Sequence, residues 1–159
     1  MILKNAIVFT AGVYAQLQNQ EIFLCDYSIE MLKIGKSRLE KAGAPNSSVH
    51  FLRADALNMP LKNDVLQTVF CFGILHIFDD SSRLIEECKR ILKDGGKLYI
   101  TSLCTDRKFS ARYLKFLHNK GHVARPMSSE EIIHLIENGD LIIEKSFVKG
   151  GMTYITVRK

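Results

Sequence analysis

The stretch "TAGVYAQLQNQEIFLCDYS", Thr10 to Ser28, carries the first residues whose types and spacing suit chemistry. An apolar run, Ile22 to Cys25, ends on Asp26, and Gly12 lies upstream. A carboxylate at the C-terminal end of a strand can accept both hydroxyls of a ribose, as acidic residues do in dinucleotide-binding folds. An aspartate in that place also suits a turn or a helix N-cap. Nucleotide-binding units cradle their ligand with several glycines, whereas this stretch offers Gly12 alone. Further along, Asp55 follows "VHFLR", Phe72 and Gly73 close "LQTVFCFG", and His76 comes next as a helix-start histidine or a base. Cys25, Cys71, Cys88 and Cys104 form no CxxC, so neither a zinc clip nor a redox motif is signalled. They read as buried free thiols of a reducing, cytoplasmic compartment.

The elements that must position these residues alternate. "MILKNAIVFTAGVYAQ" faintly resembles a signal peptide, but Thr10 and Gly12 interrupt its apolar stretch and it has one basic residue. It reads as a first buried strand, Ala6 to Thr10, and a turn. Ile22 to Cys25 is too short and too sharply bounded for a helix. Ser28 can cap "IEMLKIGKSRLEKAG" as a helix that Gly43 ends. "VHFLR" and "LQTVFCFG" read as strands separated by the loop "ADALNMPLKND". In "DDSSRLIEECKRILKDGG", Leu84, Ile85, Cys88, Ile91 and Leu92 share one helical face. Asp or Ser caps its start, and Gly95-Gly96 are expected to stop it. "KLYITSL" is the next strand, and Phe109 to His118 is helical. "SSEEIIHLIENG" carries a capping box, Ser128 with Glu131. "LIIEKSFV", "KGG" and "MTYITVR" make a hairpin whose last strand runs antiparallel to its neighbour.

The chain of 159 residues is one domain by prior, 47% hydrophobic and 25% charged. Repeated β-α-β units imply an α/β fold with a parallel sheet between helices. No apolar run approaches the ~18 residues that span a membrane. The net charge of +5 is a mild bias toward anionic partners, and it is concentrated. From Arg107 to Arg125 there are six Lys/Arg, two His and no acid.

"IFLCDYSIEML", "VHFLRADALNMPL", "VFCFGILHIFDD" and "RILKDGGKLYI", in that order and spacing, resemble the core of class I S-adenosylmethionine (SAM)-dependent methyltransferases. The nearest resemblance is to the small-molecule branch related to quinone biosynthesis, and it covers Ile22 to Lys159. It implies a Rossmann-like three-layer sandwich: a mostly parallel seven-stranded sheet with an antiparallel C-terminal hairpin strand. It also implies SAM as cofactor. Asp26 would hold the ribose and Tyr27 would lie against the adenine. Asp55 would bond the adenine amino group, the Ala56 amide would meet the ring, and Leu57 would wall the pocket. Phe72, Gly73 and the residues to His76 would line the methionine and sulfonium region, and Gly12 would be the survivor of the glycine loop. The bland alternatives are a turn aspartate for Asp26, a surface tyrosine for Tyr27 and a loop aspartate for Asp55.

Methyl transfer asks the protein to align an acceptor and keep water away. A base is needed only for a protonated acceptor, so no catalytic residue is assigned and His76 is a weak candidate. No metal is implied. Gly12 and Asp26 stand 14 positions apart, a shorter spacing than the resemblance calls for. The chain is therefore expected to bind SAM weakly, to be a noncatalytic methyltransferase-like module, or to be a fragment of a full enzyme. The basic segment would favour an anionic small-molecule acceptor or phosphates. The absence of an Asn/Asp-Pro-Pro-aromatic motif and of a Pro-Cys nucleophile disfavours nucleic acid. With only Met1 to Asn5 ahead of the expected first strand, one sheet face would be left open, which suggests a homodimer or a partner protein.

Overall fold

The computed structural model describes residues 2–3, 21–43 and 49–159. They fall into two compact units, Met1–Pro60 and Leu61–Lys159.

Among its described residues the first unit holds three strands and a helix. Strand β1 (Ile2–Leu3), β2 (Ile22–Asp26) and β3 (Val49–Arg53) are all parallel, with β2 between the other two. Helix α1 (Ile29–Lys41) starts where Ser28 accepts the Met31 N–H, and Gly43, at φ 75°, follows its end. Leu32, Gly35 and Leu39 recur on its buried face, which lies on β2 and β3. The first strand was expected at Ala6 to Thr10. Those residues lie outside the described ones, and it is Ile2–Leu3 that pairs with Leu24 and Cys25 of β2. The expectation that residues 1–5 all precede the first strand is therefore corrected.

The second unit begins with β4 (Leu66–Phe72) and a 3₁₀ turn (Leu75–Ile77). Helix α2 (Ser81–Ile91) follows, capped by Asp80, and runs directly into β5 (Leu92–Leu103). Helix α3 (Lys108–Asn119) and α4 (Ser129–Glu137) come next, then β6 (Ile142–Lys149) and β7 (Met152–Arg158). The strand order is β4-β5-β7-β6. β4 and β5 are parallel, whereas β7 is antiparallel to both β5 and β6, as the hairpin required. The capping box at Ser128 and Glu131 is present in full. Leu84, Ile85, Cys88 and Ile91 of α2, Leu98 and Ile100 of β5, and Ile155 and Val157 of β7 form a buried core. With its parallel βαβ units, flanking helices and reversed strand, this is the Rossmann-like α/β fold of methyltransferases.

Gly95-Gly96 do not stop α2. The helix ends at Ile91, where Leu92 turns to an extended ψ of 138°, and the glycines lie inside β5. They accommodate an irregularity: Leu66 pairs with Leu92, but Thr68 pairs with Lys97. Gly95 has φ 73°, and a Cβ on Gly96 would stand 2.7 Å from the Lys93 carbonyl oxygen. Among the described residues no helix is long and apolar enough to cross a membrane.

Candidate functional site

In the first unit the parallel register sets Asp26 opposite Arg53, so β2 and β3 end side by side. The Ala54 N–H donates to the Asp26 carbonyl at 3.2 Å and extends the pairing to the doorstep of Asp55. Asp26 Oδ1 accepts the Ser28 N–H at 2.8 Å, which fixes the turn into α1. Its Oδ2 makes no hydrogen bond among the described residues. The turn reading of Asp26 is thus realised with one oxygen.

Asp55 is arranged alike. Its Oδ1 accepts the Leu57 N–H at 2.9 Å, and its carbonyl accepts the Asn58 N–H at 3.1 Å. Ala56 and Leu57 are half-buried beside it. Both carboxylates act on one thiol. Burial first, then the negative charges of Asp26 and Asp55, push Cys25 up to about 11, although its Sγ–H reaches the Ala54 carbonyl at 3.8 Å.

Tyr27 follows Asp26 with 73% of its surface in solvent. Arg53 steadies it from the neighbouring strand. The Arg53 Nε–H donates to the Tyr27 carbonyl at 3.3 Å, and the guanidinium carbon stands 6.0 Å from the ring centroid. Sequence reasoning passed over Arg53. Only the strand register brings it to Tyr27, 26 positions away in the chain.

In the second unit β4 ends on Phe72 and Gly73. Gly73 takes φ 65° and donates its N–H to the Thr101 carbonyl at 2.7 Å. Among the described residues, its chain neighbours aside, no atom lies within 4 Å of where its Cβ would be. Three residues later His76 is 7% exposed, and its Nδ1 lies 3.2 Å from the Ser102 Oγ of β5. Its carbonyl accepts the Ala124 N–H at 3.0 Å. Ser102 faces Thr153 across β5 and β7, and both are fully buried.

Residues 8–100 match the profile of the methyltransferase domain family, well over half of the chain. The chain belongs to this family of class I SAM-dependent methyltransferases. It is similar to the demethylmenaquinone methyltransferase of Bacteroides fragilis, at 26% identity over 106 residues, 66% of this chain and 42% of that protein. The chain spans less than half the length of the curated relatives it matches. A SAM-dependent methyltransferase of Methanosarcina mazei shares the fold at a TM-score of 0.74 and 18% identity, over 99% of this chain and 91% of that one. So does the [4+2]-cyclase SpnF, at a TM-score of 0.82 and 15% identity, over 99% of this chain and 73% of the cyclase.

Within this methyltransferase domain, Asp26, Tyr27, Asp55 and Ala56 come together at the C-terminal ends of β2 and β3, the end at which open α/β sheets take ligands. Phe72 and Gly73 stand at the equivalent end of β4 in their own unit. Gly12 lies outside the described residues, as does the stretch whose length separates it from Asp26. All four cysteines are free and buried. Among the described residues no cluster of His, Cys, Asp or Glu could hold a metal ion.

Proposed function

We propose that this methyltransferase domain binds SAM through Asp26, Tyr27, Asp55 and Ala56, and transfers its methyl group to a small molecule. The observation that carries the reading is the Asp26 Oδ2 at the end of β2, without a hydrogen bond among the described residues, beside the exposed ring of Tyr27. A ribose diol needs an acceptor there and an adenine needs an apolar platform next to it. Asp55 would take the adenine amino group and the Ala56 N–H would meet the ring. When bound, SAM supplies a methyl group already activated on a sulfonium, so the chain's own residues need only bind, orient and exclude water.

His76 belongs to the core in this reading. Its burial and its contact with Ser102 support a packing role for it over a base. The quinone-related relatives support a ring-bearing acceptor such as a quinol precursor, and the buried free thiols support a reducing, cytoplasmic setting. The chain is read as one methyltransferase domain that acts as a homodimer or beside a partner protein.

A second reading has its own support. Asp26 and Asp55 each commit one oxygen to a local turn, and the short spacing from Gly12 leaves little glycine loop, as in a noncatalytic module. Titration calorimetry with SAM and S-adenosylhomocysteine separates the two. The enzyme reading expects binding that Asp26→Asn weakens at least about tenfold, the cost of a hydrogen bond to a charged group. The asparagine amide would keep an acceptor for the Ser28 N–H, so the turn survives. Heat signals absent at millimolar ligand would favour the noncatalytic module. Tight binding indifferent to Asp26→Asn would overturn the site.

A further inference from the structure

Helix α3 presents three aromatic side chains to solvent. Phe109 is 84% exposed, Tyr113 47% and Phe116 57%. At about 100° per residue they fall within an arc of roughly 60°. The buried flank that fastens the helix to its unit, Ser110 and Leu114, lies roughly 110° round from them. Lys108, Arg112 and Lys115 form a second row beside the aromatic one, turned away from the buried flank. None of the three makes an ion pair among the described residues. The whole stretch from Arg107 to Arg125 holds no acid to neutralise them. Gly151 packs so closely on Ser110 that a Cβ there would stand 2.7 Å from the serine Cβ. The β6–β7 turn, with Lys149 beside it, therefore adjoins the first turn of α3.

We propose that this face of α3 docks on an anionic lipid bilayer, with Phe109, Tyr113 and Phe116 entering the headgroup–acyl boundary and Lys108, Arg112 and Lys115 meeting lipid phosphates. The proposal does not rest on the cofactor reading. An aromatic row beside a basic row on a convex helix is the form of an interfacial helix, whose basic stems run along the apolar boundary while their heads stay wet. Single-stranded nucleic acid asks for a different surface, a basic groove with rings spaced as stacking platforms. Clustered rings on one ridge offer no such groove. Asp106 and Glu131 lie at the two ends of the segment, bonded to Ser129 and Arg125, and the three basic side chains that form no ion pair among the described residues select an anionic surface over a neutral one.

The chain contains no tryptophan, so single substitutions report locally. Phe109→Trp and Phe116→Trp, each in the full chain, are titrated with vesicles of phosphatidylcholine alone or mixed equally with phosphatidylglycerol. Ile34→Trp on the exposed side of α1 is the control. The expected result is a blue shift at positions 109 and 116 with the anionic vesicles only, weakened by salt, and none at 34. In sedimentation, Phe109→Ser with Phe116→Ser lowers the partition coefficient at least about tenfold. Lys108→Gln with Arg112→Gln and Lys115→Gln lowers it at least about thirtyfold. Unchanged thermal melting shows that these exposed substitutions leave the fold intact. Three results would overturn the proposal. One is no preference for anionic vesicles. Another is single-stranded RNA binding, abolished by the glutamine triple, without vesicle binding. The last is a concentration-dependent blue shift without vesicles, which would make a second copy of the chain the occupant.

Discussion

Arg53 and Tyr27 are joined twice across two parallel strands, through the tyrosine carbonyl at 3.3 Å and through the face of its ring at 6.0 Å. The ring proposed to carry adenine is thereby held by its neighbour on β3, while most of its own surface stays open. An exposed cation–π contact is worth about 0.5–1 kcal/mol. Arg53→Ala is expected to weaken S-adenosylhomocysteine binding about two- to fivefold by calorimetry, with Arg53→Lys between. An affinity unmoved by Arg53→Ala would show that the ring needs no such support.

Cys25 lies under both site aspartates, its thiol pushed up to about 11 by burial and then by Asp26 and Asp55. An ordinary thiol titrates near 8.5, so at pH 8 the thiolate fraction of Cys25 is reduced by roughly two hundredfold. Iodoacetamide at pH 8, followed by peptide mass spectrometry, should leave Cys25 unlabelled in the folded chain and label it in urea. Rapid labelling of the folded chain would contradict the placement of the two carboxylates.

Two glycines test opposite constraints. Gly73 has φ 65° and no described residue beyond its neighbours within 4 Å of its Cβ position, so Gly73→Ala is expected to meet backbone strain, about 1–2 kcal/mol. At Gly96 a Cβ would stand 2.7 Å from the Lys93 carbonyl oxygen and 3.2 Å from that of Gln67. Both obstacles are backbone and cannot swing aside. Gly96→Ala should cost at least about 3 kcal/mol, the upper range for overpacking. Urea denaturation ranks the two, and a milder Gly96→Ala would refute the bulge geometry.

The capping box of α4 ties stability to pH. The Ser128 backbone N–H, bonded at 2.7 Å, is the chief cause that holds the Glu131 carboxyl below its ordinary value. Partial burial pushes the other way, and Arg125 and the Ser128 side chain add to the lowering. A depressed carboxylate stabilises the fold above the ordinary glutamate range, about 4.3, and that contribution is lost as pH falls through the lower folded value. A glutamine side chain in its place would keep an acceptor and would not titrate. The melting-temperature gap between the wild type and Glu131→Gln should therefore be largest near neutrality and close in acid. A gap independent of pH would contradict the assignment. Ser128→Ala should cost about 0.5–2 kcal/mol at neutral pH.

Much of this was legible in the sequence because local chemistry and tertiary demand agree. Val49–Arg53 forms the strand that "VHFLR" announced, and Ser128 and Glu131 cap α4 as their spacing required. The end of α2 was not legible. Leu92 is fully buried whether it closes a helix or opens a strand, so its apolar character could not separate the two. Gly95-Gly96 carried the signal of a helix stop, but their conformations serve a bulge that only the facing β4 requires. The pairing of Ile2 and Leu3 with β2 was not legible either, since a two-residue apolar stretch carries no period of its own. Asp26 and Asp55 were legible as strand-end carboxylates, whereas Arg53 was not, because parallel register leaves no mark in composition.

The strand β7 lies between β5 and β6, though it follows both in the chain. A ribosome delivering the chain from its N-terminus releases β5 and β6 before the strand that separates them. During that interval the edge of β5 that faces β7 offers unpaired N–H and C=O groups to any passing strand. The nascent second unit therefore depends on whatever shelters that edge, and a chain stalled ahead of Met152 would be a substrate for chaperones and a seed for aggregation. Slow codons upstream of β7 would lengthen the exposure, so the vulnerability is one of timing during synthesis.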